Sequence, residues 1–357
     1  MRRLGPILVL AFVLAGCGGH GRPFVVGAVE DAPKWQPDAV AKAKAAGFEQ
    51  DVLSAVWTRG AAAAHDATTL APAVQALARG GIQPVLAVYQ LSSNTPTSAA
   101  DRQAFADYAA GLARALPQVR TVIVGNEPNL NLFWQPQFGA DGGDAAAQSY
   151  EQLLAATYDA LKAVNAKLTV VGGGLAPRGG DDPSASRPTH SPTRFLEDLG
   201  LAYRASERTR PLMDELSVHV YGESPRIPPT LAHPRTTSIG IADYAKLVRL
   251  VKRAFGTELP IVYGEYGVET TVPAAELAHY TGHEVVRPVS AATQARYYTE
   301  AINLASCQPD VTAIYLFHVL DEQQLAGLQS GVYYADGTPK ASLAAVRHAI
   351  EHPRCRS

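Results

Sequence analysis

The sequence has no excess of charge of either sign. Its 31 lysines and arginines nearly balance 33 aspartates and glutamates, which gives a formal net charge of −2. This balance provides no basic surface for nucleic acid, so no nucleic-acid partner is expected. Apolar residues make up 47% of the sequence, which excludes a chain that is disordered throughout. Its 357 residues exceed a typical domain, but an α/β barrel can use this length as one unit.

Signals for two common kinds of cofactor site are missing. The segment Gly27–Asp31 spans the end of the first predicted strand and the two residues after it. It is not the glycine-rich fingerprint expected of a dinucleotide-binding open sheet. The triplet Gly172–Gly174 is not followed by Gly-Lys-Ser/Thr, so it favours close backbone packing near a ligand over a phosphate loop. Glu30 and Asp31 stand where metal-dependent barrel hydrolases of the amidohydrolase type carry His-x-His. We therefore expect neither a cofactor nor a catalytic metal.

Cysteine is scarce, and the first of the three cysteines lies in an N-terminal targeting pattern. A positively charged start followed by the apolar run Ile7–Ala15 is typical of a secretory signal. Small residues directly before Cys17 resemble the bacterial lipobox, which predicts removal of residues 1–16, lipidation of Cys17 and a linker over 17–22. The lipid would tether the protein to the outer face of the cell membrane. The alternative is an ordinary signal peptide and a secreted protein.

The other two cysteines are Cys307 and Cys355. In an oxidising compartment an even pair indicates a disulfide more often than a metal site. Both lie near the ends of the last two predicted helices, which would be neighbours in a closed ring. We expect a bond between them, with two buried thiols as the alternative.

Short apolar runs alternate with helical patterns after the linker. The eight predicted strands are Phe24–Val29, Val52–Trp57, Pro84–Tyr89, Thr121–Gly125, Leu168–Val171, Glu215–Val220, Pro260–Tyr263 and Ala313–His318. Their nearly continuous hydrophobicity suits a parallel sheet that is buried on both faces. Helical spacing is clear over Phe105–Leu116 and Tyr244–Phe255, and Gly256 supplies a stop for the second of these.

Eight strand–helix units predict an α/β fold of the (β/α)₈ TIM-barrel type, formed by one domain over residues 23–357. A doubly wound open sheet is the competing fold. The links from strand to helix are the longer ones, so we expect the functional site at the C-terminal face of the barrel.

Two glutamates stand where predicted strands end. Glu127 lies in Asn126-Glu127-Pro128 after the fourth strand, and Glu265 follows Gly264 after the seventh. Partial desolvation at such a position makes a carboxyl pKa tunable. Glycoside hydrolysis by two carboxylates requires a pair of this kind, one to protonate the leaving oxygen and one to attack the anomeric carbon. The alternative is a pair of structural glutamates in salt bridges or helix caps.

On these segments the chain resembles glycoside hydrolase clan A, the retaining barrel glycosidases with catalytic glutamates on strands four and seven. The segments that carry the resemblance are Gly125–Pro128, Tyr263–Glu265, His219–Tyr221 and Asp336–Lys340. The resemblance implies that Glu127 is the general acid/base and Glu265 the nucleophile. It also implies that Asn126 hydrogen-bonds the sugar 2-hydroxyl.

Further residues are candidates for substrate binding. His219 and Tyr221 lie two residues apart on one predicted strand, so they share a face and can reach Glu265 or the sugar, although His219 can also be a core histidine. His318 ends the eighth strand. Aromatic residues near strand ends offer platforms for sugar rings, with Trp134 preferred and Tyr266 also assigned to substrate binding. The full aromatic set is Trp35, Trp57, Tyr89, Phe133, Trp134 and Tyr266.

The sequence thus predicts an exported, lipid-anchored, monomeric retaining β-glycosidase that acts on oligo- or polysaccharide without a cofactor. Two alternatives remain open at this point. One is a surface lipoprotein that keeps the barrel and binds glycan without cleaving it, and the other is a metal-dependent barrel hydrolase.

Overall fold

The computed structural model describes residues 24–355, which form a closed barrel of eight parallel strands in chain order. The predicted signal over 1–16, the lipidation site Cys17 and the linker over 17–22 lie outside the described residues. The strands are β1 Val25–Val29, β2 Gln50–Val56, β3 Gln83–Tyr89, β4 Thr121–Val124, β5 Thr169–Leu175, β6 Glu215–His219, β7 Ile261–Tyr266 and β8 Val311–Phe317.

Eight helices surround the barrel, one after each strand. They are α1 Asp38–Ala45, α2 Ala63–Arg79, α3 Ala99–Ala115, α4 Ala145–Val164, α5 Pro192–Ala205, α6 Tyr244–Phe255, α7 Ala291–Ser306 and α8 Ala341–Glu351. The predicted (β/α)₈ barrel is confirmed, and the open sheet is excluded because β1 pairs with both β2 and β8.

Alternation along each strand divides the buried residues into two layers. One set of side chains fills the barrel interior, and the other packs against the helices. The interior set is Val52, Val85, Ile123, Val171, Val262, Ala313 and Tyr315. Because both faces of every strand are covered, the strands read as continuous apolar runs in the sequence.

Local signals place the helix ends. The Ser191 side chain accepts a hydrogen bond from the Arg194 N–H, and Pro192 occupies the first position of α5. Gly256 ends α6 with a left-handed φ of 72°, as its position after the helical pattern predicts.

The last two helices are linked covalently at their ends. Cys307 follows α7 directly, and it forms a disulfide with Cys355 beyond α8, with the two Cα atoms 4.8 Å apart. Within residues 24–355 the helices are all too short or too polar to cross a membrane.

Candidate active site

Glu127 follows β4 at the C-terminal face of the barrel. Its N–H donates to the carbonyl of Gly174 at the end of β5, with N and O 2.9 Å apart. Its φ is +40°, a left-handed backbone conformation that non-glycine residues rarely adopt. Strain of this kind persists where the surroundings fix the backbone, and it is concentrated at functional sites.

The glycine triplet of β5 makes this arrangement possible. Gly173 has a φ of +99°, and a Cβ there would lie 2.6 Å from the carbonyl oxygen of Ser217 on β6. The pairing register of β5 and β6 shifts between Gly173 and Leu175. The close packing predicted for Gly172–Gly174 is therefore confirmed, and it brings the Gly174 carbonyl to Glu127.

His219 joins the two glutamates. Its Nδ1 lies 3.0 Å from Oε1 of Glu127 and 3.4 Å from Oε2 of Glu265. Both distances start at one nitrogen, so these two carboxylate oxygens are at most 6.4 Å apart, the sum of 3.0 and 3.4 Å. The His219 side chain is 4% exposed, whereas each glutamate side chain is 17% exposed and remains accessible from the cleft.

Tyr221 lies two residues after His219, and of the two glutamates it hydrogen-bonds Glu265 alone. Its hydroxyl donates to Oε2 of Glu265 over 2.9 Å. Burial and the neighbouring Glu265 charge raise the pKa of Tyr221 well above 10.0, so the phenol keeps its proton and remains a donor.

The electrostatics of the site follow from burying three titratable groups together. Burial raises the pKa of Glu265 above its ordinary value of 4.5, and the charge of Glu127 adds to this, while His219 and the Tyr221 hydrogen bond oppose it. Burial alone would lower the pKa of His219, but the two carboxylates outweigh it and raise that pKa above 6.5. The two carboxylates thus favour the protonated form of the histidine.

These groups face a cleft of about 280 Å³ above the barrel core. The predicted residues Glu127, Glu265, Asn126, His219 and His318 all line it. Of the six aromatic candidates, two line the cleft, namely Tyr89 and Phe133.

Two substrate-binding predictions are wrong. Trp134 is fully buried: its indole N–H donates to Ser149 Oγ over 2.9 Å, and its ring packs edge-on against Tyr150. Tyr266 is 2% exposed and packs against Tyr298, because β7 continues through Tyr266 and alternation turns it away from the face that Glu265 occupies. Trp57 is likewise buried, in the core.

Sequence reasoning missed three polar residues of the cleft, Asp31, Ser54 and Ser217. Asp31, at the end of β1, accepts hydrogen bonds from the N–H and the hydroxyl of Ser54 on β2. Lys34 lies 2.6 Å from Asp31, which fixes the carboxylate at the cleft wall. A carboxylate directly after an apolar strand is the same signal that singled out Glu127 and Glu265.

One group of potential metal ligands lies elsewhere on the surface. Among residues 24–355, Glu276, His279 and Asp336 bring one ligand atom each within 4.8 Å of one another. None of them lines the cleft, and two of the three are exposed.

Comparisons with known proteins agree on the fold. A GH5_18 variant from Streptomyces cattleya in complex with Manβ1-4GlcNAc superposes with a TM-score of 0.62 at 15% identity, over 92% of this chain and 80% of that one. A monomeric β-xylosidase from Caulobacter crescentus gives 0.57 at 17% identity, over 92% and 69%. A GH2 β-galacturonidase from Eisenbergiella tayi gives 0.54 at 11% identity, over 89% of this chain but only 47% of that longer one.

The chain therefore has the (β/α)₈ barrel fold of these glycosidases, and its predicted resemblance to clan A is confirmed at the level of fold. No protein-family model matches the sequence, and no curated protein matches it.

Proposed function

We propose that the protein is a retaining β-glycosidase that acts on oligo- or polysaccharide, with Glu127 as the general acid/base and Glu265 as the nucleophile. One observation carries this proposal: two carboxylates from the ends of β4 and β7 converge on His219 and remain open to one cleft. Purely structural glutamates would be enclosed by their partners. These two are not.

Retaining glycosidases hold the two carboxyl groups about 5–5.5 Å apart, whereas inverting ones need about 6.5–9.5 Å to admit a water. The two oxygens that face His219 are at most 6.4 Å apart, a limit that admits the retaining spacing. Retention is therefore part of the proposal, and the anomeric configuration of the product tests it.

The proposed reaction has two steps. Glu265 attacks the anomeric carbon through a carboxylate oxygen while Glu127 gives its proton to the departing glycosidic oxygen, which leaves a glycosyl ester on Glu265. Water then attacks the same carbon, its proton passes to Glu127, and the ester bond breaks to release Glu265 as a carboxylate. Tyr221 and His219 would stabilise the ionised Glu265 before attack and after release.

Hydrolysis of activated and unactivated β-glycosides tests the proposal. The wild type should cleave 4-nitrophenyl β-glycosides and release a product whose anomeric configuration, followed by NMR, is retained. Glu127→Ala should lower kcat/KM on poor leaving groups by about 10²–10⁴-fold, because these need a proton, and affect 2,4-dinitrophenyl glycosides far less. Glu258→Ala, which alters an exposed glutamate, is the matched control.

Equal losses on both kinds of leaving group would contradict the assignment of Glu127. An absence of turnover with every glycoside would instead favour the non-catalytic glycan-binding protein. Hydrolysis that a chelator abolishes would favour the metal-dependent alternative.

The site of action is a second part of the proposal and rests on the N-terminal sequence alone. Lipidation of Cys17 would hold the barrel at the outer face of the cell membrane, where a glycan substrate outside the cell can reach the cleft.

A further inference from the structure

A second cavity opens beside the catalytic cleft. It has a volume of about 760 Å³, against about 280 Å³ for the cleft, and the two share Asp31, Phe317 and His318 as walls. The three shared residues place the two cavities side by side. The second cavity has more than twice the room of the first, which suits additional sugar rings.

An exposed tryptophan lines the second cavity. Trp35 follows the 3₁₀ turn Ala32–Lys34 after β1, and 64% of its surface is exposed. A large aromatic ring left in water costs hydrophobic free energy unless a ligand covers it. Trp57 and Trp134, the other two tryptophans of the sequence, are 1% and 0% exposed, so Trp35 differs from both.

The charge of the two cavities restricts the ligand further. Six carboxylates line them: Glu30, Asp31, Glu127, Glu265, Asp321 and Glu322. Lys34 pairs with Asp31 and Lys340 with Asp321, which leaves four carboxylates.

Against these four carboxylates stand only two basic side chains, His219 and His318, among the described residues that line the cavities. Neither arginine nor lysine is in that set. A sugar carboxylate would therefore meet an excess of like charge and no arginine or lysine to bind it.

We propose that the substrate is an uncharged β-linked oligosaccharide or polysaccharide segment that occupies both cavities at once, with one sugar ring packed on Trp35. The proposal rests on the glycosidase function above and adds the length and the charge of the substrate. It assigns Trp35 to substrate specificity and not to the chemical step.

Two measurements test it. Acrylamide quenching of fluorescence reports on Trp35, because the other tryptophans are buried. Neutral β-linked gluco-, manno-, galacto- and xylo-oligosaccharides of two to six sugars are titrated against Glu265→Gln, which lacks the nucleophile and leaves them intact, and at least one series should protect Trp35 increasingly with length. The same series, used as substrates, should give a kcat/KM that rises with length.

Trp35→Ala should remove this gain, a loss of about tenfold or more on the longest substrate, with a smaller loss on 4-nitrophenyl monosaccharides. Trp35→Phe should retain part of the gain, and Leu201→Ala, which shortens an exposed apolar residue of α5, should retain all of it. The 4-nitrophenyl β-glucuronide should be cleaved at least about tenfold more slowly than the β-glucoside.

Three results would overturn the proposal: a Trp35→Ala loss that is independent of substrate length, no protection of Trp35 by any oligosaccharide, or preference for the glucuronide. If no glycoside is hydrolysed, the glycosidase function fails. Quenching still decides the binding site, because protection that grows with length supports it and unchanged quenching refutes it.

Discussion

Two clusters of buried titratable groups in this barrel have opposite surroundings. Asp321 and Lys340 form an ion pair with N and O 2.6 Å apart, and both side chains are 0% exposed. Lys340 also donates to Thr270 Oγ1 and to the Gln329 carbonyl, and the Tyr280 hydroxyl donates to Asp321. The three hydrogens on Lys340 Nζ and both carboxylate oxygens of Asp321 thus have partners within the protein.

The cluster of Glu127, His219 and Glu265 is enclosed by protein on one side and open to the cleft on the other. His219 contacts both glutamates, Tyr221 donates to Glu265, and both glutamates line the cleft. A fully satisfied buried pair stabilises one structure, whereas an open one keeps its reactivity at a cost in stability. The two clusters should therefore respond to substitution in opposite ways.

The largest expected effect comes from Glu265→Gln, which removes the nucleophile. We expect kcat/KM for aryl β-glycosides to fall by about 10⁴-fold or more. Stability at neutral pH should be unchanged or higher, because the raised pKa means that ionising Glu265 costs the folded state free energy once the pH exceeds 4.5.

Urea unfolding and kinetics on the same preparation measure both effects, with Glu258→Gln at an exposed position as the control. A marked loss of stability in Glu265→Gln would mean that this cluster is structural as well.

The converse change is Lys340→Met, which leaves the Asp321 carboxylate buried without its cation. Breaking a buried pair in this way costs about 3–5 kcal/mol. Urea unfolding should show this loss, while kcat on a monosaccharide aryl glycoside stays close to wild type in the folded fraction. Lys252→Met, in an exposed pair with Glu258, should change stability by less than about 1 kcal/mol. Similar losses in both variants would remove the distinction between the clusters.

Much of the fold could be predicted because its signals are local. Each strand is a short apolar run, and Ser191, Pro192 and Gly256 mark helix ends by chemistry that depends on neighbouring residues only. The ends of the strands are harder to predict from the sequence. The sequence predicts that β7 stops at Tyr263, but it runs through Tyr266, since Gly264 and Glu265 interrupt the apolar pattern and the pairing with β8 resumes at Tyr266 after a shift in register.

The residues of the candidate site also differ in whether a local signal in the sequence reveals them. Glu127 and Glu265 could be found because carboxylates after apolar strands are visible in sequence. Asp31 carries the same local signal after β1, but its contact with Ser54 of β2 forms only in the folded barrel, so the sequence does not show how this carboxylate is held. Trp134 and Phe133 are adjacent in an irregular loop, where no periodicity decides which ring faces the cleft; the structure turns Phe133 toward it and Trp134 into the core.

The smallest expected effect tests whether the hydrogen bond from Tyr221 helps to set the pKa of Glu265. Tyr221→Phe removes one hydroxyl that donates to ionised Glu265, a charge-assisted hydrogen bond whose loss should lower kcat/KM by about tenfold to a hundredfold.

That hydrogen bond favours the charged carboxylate, so its removal should raise the pKa of Glu265 further above 4.5. Activity requires the carboxylate and disappears as the pH falls through this pKa. The acid limb of the pH–rate profile should therefore move to higher pH in Tyr221→Phe and stay in place in Tyr203→Phe, whose hydroxyl binds a surface carbonyl. A lower rate without this shift would mean that Tyr221 only orients Glu265, and that burial and His219 alone set its charge.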